Sequence, residues 1–488
     1  MSCIAFPFRA GNRPHYAIVL ALATALAIVA ATTIASVRPR NGGILRVQIR
    51  ERVATIDPRQ WPQDSTQAAA NERLDSLVFD RLVKIGEYGT PQAALAISWQ
   101  HDAQSKRWQF HLRQNVKFSD GAPFTPEAAA LALQQLLGND FDVRATPDSV
   151  VIQADRSMAD LATTLATGRY FIFHATIGGG VSGTGPFLIS SWTSDSAPKI
   201  ILAENESCWA GRPFVDKIEL TMGVDFEQQA NAIAFGQADV VELPASQVRR
   251  ATQRGVRTAS SDPVELFALQ FDATRPAVQD QRVRQAISQA IDRSSIAEVI
   301  LQKQGKAAGS LLPNWISGYA HLFPVVTDLP RAKELLAATG REVSRPAPLV
   351  LVYDSGDAEA RAIAERVAVN LREIGFVTQI SGQGGSERNV IADARLARYR
   401  LTAPDAEVAL ADLFNALGES PAALETPEQA YAAERAPIDA FRIIPLVHVT
   451  ESYGLSPQVR DWMPPRWGGW RLEDVWLGPP QAAAGATP

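Results

Sequence analysis

Few residue patterns in this 488-residue chain have the types and spacing that chemistry needs. The six histidines, at 15, 101, 111, 174, 321 and 448, show no ligand spacing, so no protein-held metal is expected. Cys3 and Cys208 are the two cysteines. Beyond the N-terminal segment Cys208 stands alone, which rules out an intrachain disulfide or a structural zinc site there. Its neighbours Ser207 and Trp209 mark it as a half-buried packing residue. Gly178-Gly-Gly180-Val-Ser-Gly183 spells GxGxxG, but Pro186 and a strand follow, where a pyrophosphate needs a helix N-terminus. No nucleotide or other cofactor is therefore expected. GxSxG, HExxH and a convincing acid pair are all missing, so the chain reads as a binding protein and not an enzyme, with an exported hydrolase a distant alternative. The conspicuous charge left over is Arg395, Arg398 and Arg400, which form either a positive lip for a carboxylate or a solvated surface.

The elements that must position such groups are legible. Gly183-Thr184-Gly185-Pro186 is a turn whose glycines permit positive φ. Phe187–Ile189 and Lys199–Leu202 then read as an antiparallel pair, followed by Asn205-x-x-x-Trp209-x-Gly211-x-Pro213 and a third strand over Lys217–Leu220. Earlier, Ile44 and Leu45 open a strand, and Leu74, Leu77, Val78 and Leu82 have helical spacing. Trp108, Phe110 and Leu112 alternate as in a half-buried strand, and Thr125-Pro126-Glu127 opens a helix with a cap, a first-turn proline and an acid at its positive end. Val283, Ala286, Ile287, Ala290 and Ile291 define an amphipathic helix capped by Asp280. Arg282, Arg284 and Arg293 fall on its polar side and read as solvated charges. A strand over 348–353, a helix over 358–374 and a strand over 376–380 make a βαβ unit with a parallel pair.

The N-terminus sets the compartment. Arg9, Arg13 and His15 precede the uncharged run Ala17–Ala35. A basic start followed by an apolar run is an export signal. At nineteen residues the run exceeds the roughly 7–15 of a signal core and approaches the ~20 that span a bilayer. The exported part is thus released after cleavage into the periplasm or onto the cell surface, or held at the inner membrane by residues 17–36. Net charge is −5 with no basic stripe, which argues against a nucleic-acid partner.

The turn–strand–strand–Trp–strand block over 183–220 resembles the signature of the extracellular solute-binding proteins of family 5. The blocks at Pro91–Gly121, Asp280–Arg293 and Arg442–His448 match that family in order and approximate spacing. The resemblance implies an α/β, two-lobed periplasmic-binding-protein type II fold with an extra subdomain in the first lobe and a hinge of crossing strands. It assigns 1–40 to a signal or anchor, and 41–75, 182–266 and 441–477 to the first lobe. Residues 76–181 become the extra subdomain, 267–440 the second lobe and 478–488 a disordered tail. The function implied is capture of a small solute between the lobes for an ABC-type permease, by a monomer. A peptide is the foremost solute and a nickel chelate the second. The alternative is a membrane-tethered sensor or interaction protein that kept the fold without transport. In peptide-binding members an Asp of the second lobe pairs with the ligand ammonium. The matching stretch points to Asp405, with Tyr399 or Arg400 near the place of the family's tryptophan. Asp405 reads equally as the cap of the helix that follows. Chain 414–437 is shorter than is usual in the family.

Overall fold

The computed structural model describes residues 38–488 except 63–64, 87, 194–197, 342–346, 384–390, 402, 404, 420–423, 425 and 480–488. The run Ala17–Ala35 and most of the tail lie outside the described residues. From Asn41 onward the chain makes one compact unit, which is the subject below.

An eleven-stranded mixed sheet runs through it. In chain order its main strands are β1 (Ile44–Gln48), β2 (Phe187–Thr193), β3 (Lys199–Glu204), β4 (Lys217–Thr221), β5 (Val240–Leu243), β6 (Arg257–Phe271), β7 (Ala347–Asp354), β8 (Phe376–Gln383), β9 (Ala394–Arg400) and β10 (Ile443–Leu455). Their order across the sheet is β2-β3-β4-β1-β5-β10-β6-β9-β7-β8, with Gly305–Ala307 also paired to β10. β2–β3 is the antiparallel pair read from the sequence, β4 extends it into an antiparallel meander, and β7–β8 is the parallel pair. Four helices matter most: α1 (Ser65–Val78), α2 (Gln281–Ala290), α3 (Ala358–Glu373) and α4 (Ala406–Leu417).

β6 and β10 are long because they serve two cores. Ala259, Tyr453 and Leu455 pack with β1, β3 and β4 around one buried cluster. Phe267, Leu269, Ile444 and Leu446 belong to a second, built on α2, α3 and β7. The changeover falls where the β6–β10 register shifts, on either side of Pro263. These are the two lobes and their crossing strands. A separate cluster fills a four-stranded antiparallel sheet under the helix Pro126–Leu137, where Thr125 caps as its sequence demands, accepting from the Ala128 N–H at 3.3 Å.

Two local expectations change. Gly183 and Gly185 do not sit at positive φ. A Cβ at either would overlap the Val78 main chain, so glycine is needed there for close approach to the end of α1. Arg284 and Arg293 are not solvated but buried. The Arg284 guanidinium donates to the carbonyls of Val278, Gln279, Ala440 and Phe441, and Arg293 to those of Ser288, Val326 and Pro445. A planar five-donor group can be taken out of water when carbonyls meet its N–H groups.

Candidate functional site between the lobes

A β-strand sends alternate side chains to opposite faces. On β9, Arg398 and Arg400 therefore share one face and Tyr399 takes the other. Tyr399 is buried in a second-lobe cluster with Leu401, Leu410 and Phe414. Both arginines instead point into the changeover of the crossing strands, where β6 supplies Glu265 and β10 supplies Glu451. The first lobe adds Arg50 and Glu51 from the end of β1, Arg73 from α1 and Glu242 from β5. The second lobe adds Asp354, Asp357 and Glu359 from the turn before α3 and its first residues.

These groups are tied together. Arg73 reaches Glu242 at 2.6 Å and Glu451 at 2.7 Å, and Arg400 Nε reaches the same Glu451 at 2.5 Å. Arg398 pairs with Glu265, with Asp357 at 3.0 Å and with Glu359 at 3.4 Å. Away from the crossing strands, Arg50 Nη1 donates to the Gly356 carbonyl at 3.1 Å, and the Ser246 N–H donates to Glu359 at 2.9 Å, linking the two lobes directly. The arginines of β9 thus form neither a solvated surface nor an open lip. Arg395 alone of the three stays at the edge, donating to Gln383 at 3.2 Å.

Burial and neighbours act against each other here. Burial pushes Glu451 up, but Arg400 and Arg73 prevail and hold it well below the usual carboxylate range. Burial wins at Glu51, Glu265 and Glu359, all raised. The junction gathers Arg50, Arg73, Arg398 and Arg400 against Glu51, Glu242, Glu265, Asp354, Asp357, Glu359 and Glu451. The lining itself is balanced, four arginines against four glutamates, and Asp357 and Glu359 behind Arg398 add negative charge on the second-lobe side. The pocket lined by these groups has a volume of about 60 Å³. Among the described residues no group of His, Cys, Asp and Glu could hold a metal ion.

Of the three residues singled out from the sequence, Arg400 lines this pocket. Asp405 caps α4, its Oδ1 accepting from the Val408 N–H at 3.1 Å. Close by, Glu407 is pushed up to about 7, by burial first and then by Asp405, with Asp160 of the extra subdomain adding to it. Arg73, Glu265 and Glu451 were not foreseen. The signal available for them was a charge inside an otherwise apolar strand or helix face.

Two lobes spanned by crossing strands, with an ion-paired pocket at the crossing, define a hinged binding protein. A sequence profile described as "Bacterial extracellular solute-binding proteins, family 5 Middle" matches residues 90–426, and the chain belongs to this family. It is 28% identical over 365 residues to the nickel-binding periplasmic protein of Escherichia coli, covering 66% of this chain and 69% of that one. It is 23% identical to the probable D,D-dipeptide-binding periplasmic protein DdpA of the same organism, covering 72% and 74%. The solved structure of NikA from Brucella suis in complex with Fe(III)-EDTA superposes with a TM-score of 0.78 at 20% identity, over 89% of this chain and all of that one. The chain is accordingly an extracytoplasmic solute-binding protein.

Proposed function

We propose that the protein captures a small solute bearing a cationic amine, a short peptide foremost and a nickel chelate second, and hands it to an ABC-type permease. The observation that supports this reading is the acidic backing of the interlobe pocket, where Asp357 and Glu359 stand behind Arg398 on the second-lobe side. Arg400 would meet a carboxylate end of the solute. Asp405, with Glu407 beside it, would meet the ammonium end by charge-assisted hydrogen bonding. A solute larger than a few atoms needs the lobes to part, and closure over it is then what binding stabilises. The hinge of this motion would be the shifted register near Pro263. The lobe boundaries proposed from the sequence, at 266/267 and 440/441, lie close to it on β6 and farther from it on β10.

The test is a thermal-shift series on the purified protein with free and N-acetylated di- to pentapeptides, nickel with histidine, and neutral sugars. Stabilisation follows RT ln(1 + [L]/Kd), so a ligand at 100 Kd adds roughly 2.7 kcal/mol. Free-amine peptides should raise Tm, and their acetylated forms should not. Asp405→Asn keeps a good cap and should weaken the peptide at least tenfold. Equal binding of acetylated and free peptides would sink the amine reading. We further propose that the apolar run at 17–36 directs export and either anchors the protein in the inner membrane or is cleaved. Mass spectrometry of the mature N-terminus decides between these.

A further inference from the structure

A second cavity, of about 480 Å³, shares no lining residue with the interlobe pocket. That volume is in the range of small-molecule sites, roughly 300–1,000 Å³. Its walls come from the end of α1, the strand Val83–Ile85, the Trp209 turn and the segment Trp467–Asp474. Hydrogen bonds fix two of the rings that face it. Trp209 Nε1 donates to Asp80 Oδ2 at 2.7 Å, and Trp467 Nε1 donates to the Gly86 carbonyl at 3.1 Å. Phe79, Phe171, Phe214 and Trp470 add to an aromatic lining.

The charges on this lining are mostly committed. Arg81 pairs with Glu72 at 2.7 Å, Arg212 with Glu204 at 2.5 Å, and Arg471 with Glu473 at 3.3 Å and Asp474 at 3.4 Å. Asp80 and Lys84 remain without a contact ion pair, although Lys84 and Arg113, the latter over one face of Trp209, lie close enough to favour the Asp80 carboxylate. Asp80 uses one oxygen for two bonds, since Oδ2 also accepts from the Thr184 hydroxyl at 2.8 Å. Among the described residues its Oδ1 accepts none, and Lys84 makes no ion pair. A desolvated carboxylate with a spare oxygen beside indole faces suits a protonated amine carried on an aromatic body.

We propose that this cavity is a second binding site, for an aromatic amine: the ammonium on Asp80 Oδ1, the ring against Trp209 and Trp467, and any carboxylate of the ligand on Lys84. The cavity also reports on itself, because Cys208 lines it. Tryptamine is the probe, with N-acetyltryptamine as control, titrated calorimetrically into the purified protein. Cys208 labelling by a methanethiosulfonate is followed in parallel, with peptide-resolved mass spectrometry to separate it from Cys3. The expected result is one tryptamine per chain, labelling of Cys208 slowed at least fivefold, and binding at least tenfold weaker in Asp80→Asn. The exposed Ala210 lines the cavity. Ala210→Trp should fill it and abolish binding. Absence of heat at millimolar tryptamine overturns the proposal. So does binding that survives Ala210→Trp with Cys208 unprotected. If Asp80→Asn fails to fold, the Ala210 variant alone decides.

Discussion

Leu311 is gripped by two titratable side chains that pull stability in opposite directions with pH. Its N–H donates to Glu434 Oε1 at 2.6 Å, and its carbonyl lies 3.0 Å from His448 Nε2. Burial pushes Glu434 up to about 7, so the folded state holds that proton more tightly than the unfolded one. The stability Glu434 lends is complete below its ordinary value of 4.5 and is lost as pH climbs through about 7. Burial holds His448 down to about 4, so its contribution is complete above its ordinary 6.5 and is lost as pH falls toward 4. Glu434→Gln can still accept from Leu311 and Leu312. In urea melts it should remove a loss of up to about 1.4 kcal/mol per pH unit between the two Glu434 values. A variant whose stability falls with pH as steeply as the parent would show that Glu434 carries no such proton. Neither residue could be picked out in the sequence, because their burial depends on segments more than a hundred positions away.

The elements were far more legible than the charges they carry. Strict alternation at Trp108, Phe110 and Leu112 identified a strand that is indeed buried at every second position. The Asp280 cap and the apolar stripe of α2 stand as read. Periodicity says which face of a helix is polar, but not what packs on that face, so Arg284 and Arg293 were placed in water. On β9, alternation alone separates Tyr399 from Arg400, a consequence of strand geometry available only once 394–400 is known to be a strand. Local signals have local consequences too. Thr125 serves the helix Pro126–Leu137 of the extra subdomain, far in sequence from either pocket-lining arginine of β9. Thr125→Ala should cost about 1 kcal/mol in denaturant melts with solute affinity unchanged. A tenfold loss of affinity would mean that this subdomain takes part in binding.

At the scale of the whole molecule, the lobes are held by groups that meet only after both have folded. Arg50 follows a first-lobe strand and bonds the carbonyl of Gly356 in the second. A partly exposed pair of this kind adds little to global stability, roughly 0–1 kcal/mol. It bears instead on the balance between open and closed forms, where a similar energy changes populations several-fold. Arg50→Gln should leave the urea midpoint nearly unmoved, widen the molecule measured by small-angle scattering, and weaken the solute about three- to tenfold. An unchanged scattering profile would remove Arg50 from the hinge. The two-lobed plan was legible in the sequence through family-like blocks, whereas the ion pairs at its centre were not. They join residues as distant as Arg73 and Glu451, and no spacing rule reaches that far.

Because β6 and β10 belong to one uninterrupted sheet, neither half of the polypeptide contains a complete fold. Everything before residue 272 lacks β10, and everything after it lacks β1 and β6. Expressed separately, two such fragments would each display an unsatisfied ladder edge, and mixing them would let each template the other. A nick in the exposed turn around Thr274 would therefore split the backbone without separating the pieces, making this protein a natural candidate for reconstitution from halves.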